Sequence, residues 1–201
     1  MKIQILKQSI LEKLIVINRI TPKKSDLGVL NFFKISADEN KINLFSTDLE
    51  IAYQATIPAK VKEKGIFLIP AKQFLEIINN FYEDEIELET KENNLLIRGK
   101  NIFCSLVSIT EEEYPLIPGY NKEQYLEIES NFLDNILEKI IGPIKTANLI
   151  KPEFAGVYLW LDNNYLRWVS TDSIRLAEYK IKKDLILTNI NKEIKILIPY
   201  K

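Results

Sequence analysis

Three sets of four apolar residues carry one spacing through this chain. Ile3, Ile5, Ile10 and Leu14 form the first, Phe67, Ile69, Phe74 and Ile78 the second, and Leu126, Ile128, Leu133 and Leu137 the third. In each set the later members fall 2, 7 and 11 residues after the first. A separation of two places residues on one face of a strand, and a separation of four places them on one face of a helix. The spacing therefore predicts a repeated strand–helix unit, which restricts the fold more than any single motif does. Its clearest copy is GIFLIPAKQFLEIINNF, residues 65–81. There Pro70-Ala71 marks the switch to helix, because a proline in the first turn loses no helical hydrogen bond. A fourth copy opens at Ile196, Ile198 and Pro199-Tyr200-Lys201, which echo Phe67, Ile69 and Pro70-Ala71-Lys72.

The first repeat reads as strand 1–6 and an amphipathic helix from Gln8 to Ile20, with Ser9 as N-cap and Glu12 three residues later. Ile10, Leu14 and Ile17 share its core face, opposite Glu12, Lys13, Val16 and Arg19. Pro22, Lys23 and Lys24 end it. A hairpin follows, VLNFFKIS–ADEN–KINLFS, then a polar corner at Thr47–Glu50 and a third strand, IAYQATI. The second repeat starts after a lysine-rich turn, Lys60–Gly65. It has strand 65–69, helix 71–82 and the strands EIELETK, LLIRG and IFCSLVS. Residues 110–122, with two prolines, a glycine and three consecutive glutamates, read as a linker between domains.

The third repeat has strand 123–129 and helix 130–142, with Ser130 as N-cap and Gly142-Pro143 as the stop. A hairpin then pairs VYLWL with YLRWVS around Asp162–Asn164. Ser170-Thr171-Asp172 matches Ser46-Thr47-Asp48. The aspartates fall 45 residues after Ile3 and 46 after Leu126, and the second repeat has no such triplet. The third repeat is thus a restart of the first, and the natural domain is a pair of repeats. The expected fold is α+β, built of repeated β-α-β-β-β units with helices on one face of antiparallel sheets. Residues 1–121 form a complete domain and residues 122–201 the first half of a second. A half domain leaves an apolar helix face and a sheet edge unpartnered, so the chain reads as a fragment, truncated after about one and a half domains.

Composition narrows the chemistry. The 201 residues include no histidine and one cysteine, Cys104, which leaves no Ser–His or Cys–His nucleophile pair, no ordinary zinc site and no intrachain disulfide. A lone cysteine, an N-terminus without a signal-peptide apolar core and the lack of any apolar run near 18 residues fit a cytoplasmic protein without a membrane span. With a net charge of −1, attraction to nucleic acid would have to come from local basic patches. The six glycines form no phosphate-binding loop, and no cofactor is expected. Asp48 with Glu50, or Glu111–Glu113, are clustered carboxylates that could hold a divalent cation. The alternative for Asp48, which recurs as Asp172, is a side chain bonding nearby backbone amides in a tight corner.

The ordered set STDLEIA (46–52), FLIPAKQFLEII (67–78), EEEYPLIP (111–118), KPEFAGVYL (151–159), WVSTDSIRLA (168–177) and ILIPYK (196–201) resembles the N-terminal part of the bacterial sliding clamp, the beta subunit of DNA polymerase III. That resemblance spans essentially the whole chain. It implies a DNA-clamp fold of three domains in the full-length family member, closed head to tail as a homodimeric ring around duplex DNA. It further implies a non-catalytic processivity factor. Such a clamp holds DNA through long-range attraction to phosphates, without reading bases.

On the same resemblance Lys24, Lys72, Lys151 and Lys201 fall at or beside DNA-facing basic positions, with Arg19, Lys139 and Lys145 as additions on helices or helix ends. Gln73 stands where the family often has a second basic residue. Taken alone, each of these cations is equally a solvated surface charge. A pocket for short linear motifs of the replicative polymerase, the clamp loader and repair proteins is matched by Phe154, Thr171, Ser173, Ile174, Arg175 and Leu176. Phe154 and Leu176 also read as ordinary core strand residues. Ile174 departs from the small or polar residue usual at its place. The strand 101–108 matches the subunit interface, with Cys104 and Leu106 facing the contact or serving as ordinary strand residues. Two other classes stand beside the clamp: an enzyme built on converging carboxylates, and a clamp-like protein-interaction scaffold that does not encircle DNA.

Overall fold

The computed structural model describes residues 1–22, 25–109, 114–116, 119, 123–146 and 154–200. The chain divides into two compact units, Met1–Pro118 and Gly119–Lys201.

The first unit contains β1 (Lys2–Leu6), α1 (Lys7–Ile17), β2 (Phe32–Asp38), β3 (Lys41–Thr47), β4 (Ala52–Pro58), β5 (Lys60–Glu63), β6 (Gly65–Pro70), α2 (Ala71–Asn80), β7 (Glu85–Lys91), β8 (Asn94–Arg98) and β9 (Phe103–Val107). Its strands form two antiparallel sheets, ordered β5-β1-β7-β8-β9 and β4-β3-β2-β6. Each sheet takes its last three repeat strands from one repeat and its opening strand from the other. β1 lies beside β7, with Ile3 opposite Leu88, and β6 lies beside β2, with Ile69 opposite Phe33. This exchange locks the two repeats into one core. Ile3, Ile10, Leu14, Ile17, Phe33, Phe74 and Ile78 are all fully buried in it. The predicted +2, +7 and +11 positions are therefore the core of this unit.

The second unit contains β10 (Leu126–Glu127), α3 (Ser130–Thr146), β11 (Gly156–Leu161), β12 (Tyr165–Thr171), β13 (Leu176–Lys182), β14 (Leu187–Thr188) and β15 (Ile194–Pro199). Its sheet order, β13-β12-β11-β15, repeats β4-β3-β2-β6 strand for strand. The β10–β14 pair likewise repeats β1–β5. Ile136, Ile140, Leu159, Leu166 and Trp168 form its core. The fourth copy of the repeat is β15, with Ile198 opposite Val157 as Ile69 is opposite Phe33. Their burial differs sharply. Phe67 and Ile69 are 3% and 0% exposed, whereas Ile196 and Ile198 are 45% and 43% exposed. In the first unit α2 follows β6 and lays Phe74 and Ile78 into the same core.

Several local expectations are corrected. Helix α1 begins at Lys7, so Ser9 lies inside it and caps nothing. The Lys7 amide donates to the Asp84 carbonyl at 2.7 Å, so a neighbouring segment satisfies that N-terminal donor. Residues 60–63 form an edge strand on β1, not a turn, because an available sheet edge outweighs the weak strand propensity of lysine. Helix α3 runs through Gly142-Pro143 to residue 146. A proline there removes one helical donor. The buried ridge Ile136, Ile140 and Ile144 nonetheless continues across it, and the Ser170 hydroxyl donates to the Ile140 carbonyl. Ser130 is the first helical residue, and the Glu129 carbonyl accepts the Leu133 amide at 2.9 Å. Strand 123–129 shortens to Leu126–Glu127. Within the expected linker, Tyr114 is only 7% exposed, and its hydroxyl donates to the Phe45 carbonyl at 3.4 Å. Burial pushes that phenol up to about 12.

Candidate functional site

Of the cations expected to face DNA, Lys24, Lys151 and Lys201 lie outside the described residues. Lys72 is exposed in the first turn of α2, and Arg19 is exposed just beyond the last turn of α1. The two helices pack against each other, with Ile10, Leu14, Ala71 and Phe74 turned into the core. Both cations therefore sit on the solvent side of one helical layer. Lys7 joins the layer internally: its Nζ donates to the Asn79 and Phe81 carbonyls at the end of α2, where a cation complements the helix dipole. In the second unit Lys139 and Lys145 are exposed on α3, with Lys139 Nζ 5.2 Å from the Tyr179 ring centroid.

The Thr-Asp corners have one construction in both units. Asp48 Oδ1 accepts the Glu50 and Ile51 amides at 3.0 and 2.8 Å, and Thr47 Oγ1 donates to the Ile51 carbonyl at 2.8 Å. Asp172 Oδ1 accepts the Ile174 and Arg175 amides at 3.0 and 2.6 Å, and Thr171 Oγ1 donates to the Arg175 carbonyl at 2.7 Å. The residue after each aspartate is left-handed, Leu49 at φ 76° and Ser173 at φ 73°. These aspartates thus hold a turn, the second of the two roles their sequence allowed, while Glu111–Glu113 lie outside the described residues. The second corner adds a guanidinium: Arg175 Nε and Nη2 donate to Asp172 Oδ2 at 3.0 and 2.7 Å. The Arg175 amide, then its side chain, holds the Asp172 carboxyl well below the usual carboxylate range.

This corner gathers five of the six residues expected in the peptide pocket. Thr171 is half-buried, Ser173 and Arg175 are exposed, and Ile174 and Leu176 are 92% and 68% exposed. Leu176 is therefore no core residue; it opens the edge strand β13 with its side chain in solvent. Phe154 is half-buried just before β11.

Cys104 and Leu106 are half-buried on β9, an edge strand of its sheet, and pack against the core. The residues that β9 turns outward are Phe103 and Val107, 62% and 65% exposed. Cys104 and Leu106 line one wall of an open, largely apolar groove of about 400 Å3, and Gln73, Glu76, Ile77 and Asn80 of α2, Phe81 just after it and Ile102 line the rest.

With this geometry in view, comparison with known proteins places the chain. A profile of the DNA polymerase III beta subunit, N-terminal domain, matches residues 1–118. The chain belongs to this beta-subunit family. It is 29% identical to the beta sliding clamp of Staphylococcus epidermidis over 192 residues, covering 90% of this chain and 49% of that relative. A Staphylococcus aureus beta sliding clamp is 27% identical over the same length. The chain thus spans about half the length of the curated relatives it matches. Among solved structures, the Helicobacter pylori beta clamp bound to a DNA ligase peptide superposes with a TM-score of 0.85 at 26% identity, covering 99% of this chain and 56% of that one. The Bacillus subtilis sliding clamp has a TM-score of 0.88 at 22% identity over 99% of this chain and 54% of that one, which concerns the fold alone.

Sequence reasoning within this family missed the α2 side of the groove. Ile77, three residues after the core Phe74, belongs to no predicted set, and its partly buried place beside β9 depends on how the second repeat folds back. Nothing in the spacing of Cys104 and Leu106 shows which helix they meet. The outer face of the β5-β1-β7-β8-β9 sheet carries further cations, but glutamates neutralise them. Lys2 lies 3.4 and 3.5 Å from Glu87 and Glu89, Lys62 lies 3.2 Å from Glu87, and Arg98 pairs with both acids. That face is a poor candidate for phosphate binding.

Proposed function

We propose that this chain works as part of a DNA sliding clamp: a non-catalytic, cytoplasmic processivity factor of the replicative polymerase that encircles duplex DNA and contacts it without reading sequence. The observation that carries the reading is family membership through residues 1–118, on a duplicated fold whose helical layer presents Arg19 and Lys72 to solvent. Residues 1–121 act as the first clamp domain and residues 122–201 as the opening half of the second. Lys24, Lys72, Lys151, Lys201 and Arg19 contact phosphates. Edge strand β9, with Cys104 and Leu106 in its apolar groove, meets the partner subunit of a homodimeric ring. The exposed corner Thr171–Leu176, with Phe154, contributes one wall of a pocket for linear motifs of the polymerase, the clamp loader and repair proteins. An apolar groove with a few polar groups suits such motifs.

Binding of a fluorescein-labelled duplex at about 50 mM salt tests the phosphate contacts. The expected result is sequence-independent binding that Lys72→Glu weakens, with the slope of log K against log salt falling by about 0.9 for each phosphate that is no longer neutralised. Equal affinity for the Arg19→Glu/Lys72→Glu double variant would remove the helical layer from the interface. Encirclement is read on nicked circular DNA with protein isolated from its source cells. A clamp is retained on the circle and lost on linearisation, whereas a scaffold behaves alike on both.

A further inference from the structure

The face of the β13-β12-β11-β15 sheet turned away from the core carries an aromatic and cationic row. Val157, Leu159 and Leu161 point inward, so Tyr158 and Trp160 point out; Leu166, Trp168 and Ile181 point inward, so Arg167 and Lys180 point out. Registry sets four of these side by side: Lys195 opposite Trp160, Trp160 opposite Arg167, and Arg167 opposite Lys180. The Arg167 guanidinium stands 4.3 Å from the Trp160 ring centroid and 5.3 Å from that of Tyr165. Lys180 Nζ is 3.8 Å from the Tyr165 centroid, and Lys195 Nζ is 5.2 Å from that of Trp160. Acids brace the row. Arg167 pairs with Asp162 and lies 3.6 Å from Glu178, and Glu193 accepts Trp160 Nε1 at 2.8 Å and Lys195 at 2.9 Å.

The fold does not require this row. The first unit has the same sheet in the same register, and the matching positions hold Ile66, Ser36, Asn43 and Thr56. There Thr56 simply donates to Asn43 at 2.7 Å. Four positions that hold only uncharged, non-aromatic residues in one copy of the fold carry a tryptophan and three cations in the other. Alternating aromatic planes and cations on an open sheet match the bases and phosphates of an unpaired strand, whose bases offer the π-faces that a duplex keeps stacked. An acidic peptide would use the cations alone, whereas an unpaired strand uses cations and rings together.

We propose that this outward row, Lys195–Trp160–Arg167–Lys180 with Tyr158 and Tyr165 beside it, binds single-stranded nucleic acid by stacking, with Lys180 and Lys195 pairing to phosphates. Because the neighbouring carboxylates offset much of the positive charge, stacking dominates and the salt dependence is shallow, with a log–log slope of about −1 to −2.

The test uses the whole chain and oligo(dT). Trp160 and Trp168 are the only tryptophans, and Trp168 is 2% exposed in the core, so quenching on binding reports Trp160. The expected result is quenching by oligo(dT) with a shallow salt slope. Trp160→Ser and Lys180→Thr install the first unit's residues and keep the circular dichroism. Trp160→Ser weakens binding of labelled oligo(dT) by about tenfold, since stacking of one base is worth about 1–3 kcal/mol, and Lys180→Thr weakens it while lowering the salt slope by about 0.7. No quenching at low salt overturns the proposal. So does unchanged affinity in both variants, or equal displacement by poly-glutamate, which would assign the row to acidic peptides. Lys72→Glu leaves the oligo(dT) signal intact and Trp160→Ser leaves duplex binding intact, so failure of this site and of the duplex reading are separable.

Discussion

Truncating Ile69 and Ile198 to alanine places one perturbation at two equivalent points of the duplicated fold. Each isoleucine faces a core residue of the neighbouring strand, Phe33 and Val157 respectively. Ile69 is 0% exposed, so Ile69→Ala removes transfer free energy and opens a closed cavity, at a cost of about 2–5 kcal/mol. Ile198 is 43% exposed; its truncation forfeits about half the transfer term and leaves a notch open to water, at a cost of about 1 kcal/mol. Urea unfolding can assign the losses separately, because both tryptophans, Trp160 and Trp168, belong to the second unit and far-ultraviolet circular dichroism reports both units. With a urea slope of about 2 kcal/mol/M, Ile69→Ala lowers the first unit's midpoint by about 1–2.5 M, and Ile198→Ala lowers the tryptophan transition by about 0.5 M. A loss at Ile198 as large as that at Ile69 would refute the reasoning, since it would mean that the β15 face is covered in solution. A concentration-dependent midpoint would then identify a second copy as the cover.

Other perturbations probe the local devices. Asp162 is held down to about 2 by Arg167 and by the Asn164 and Tyr165 amides. Its folded pKa lies below the unfolded value near 3.9, so its stabilisation is full above about pH 5 and is lost as pH falls towards 2. The gap in melting temperature between the parent chain and Asp162→Asn should therefore close across that window, and a constant gap would remove the ion pair from the account. Leu49 is left-handed and 59% exposed, so Leu49→Gly should be neutral or stabilise by up to about 1 kcal/mol in thermal melts. Replacing Lys7 by methionine leaves the end of α2 without its cation and should cost the first unit about 1 kcal/mol by urea titration.

What was legible in the chain is what depends on neighbours in sequence. The +2, +7 and +11 spacing located β1 with α1 and β6 with α2, because burial on one face imposes period two on a strand and 3.6 on a helix. In α3 it marked the helix but not its buried ridge, which is Ile136, Ile140 and Ile144 rather than Leu133 and Leu137. The Asp162–Asn164 and Thr-Asp corners were readable because an aspartate bonds amides two and three residues ahead. The ordered motifs also led to the beta-subunit family. The start of α1, the end of α3 and the edge strand β5 were not readable. Lys7 finds its acceptor at Asp84, far along the chain, and Lys60–Glu63 becomes a strand only because β1 offers an edge.

The repeat, its restart at the third copy and the lack of histidine chemistry were thus determined by the sequence itself. Tertiary structure alone decided that the two repeats of the first unit exchange their opening strands, since strand pairing is a long-range choice that local spacing does not encode. It decided that α3 continues through Pro143, because the buried Ile140 and Ile144 outweigh one lost donor. It also decided which way β9 faces and which cations share a surface. Lys2 and Arg98 are neutralised by glutamates across their sheet, while the register of β12 and β13 sets Arg167, itself paired with Asp162, and Lys180 over the Tyr165 ring. Charge and apolarity are properties of residues. Whether a charge is paired or an apolar face covered depends on what the fold brings against it.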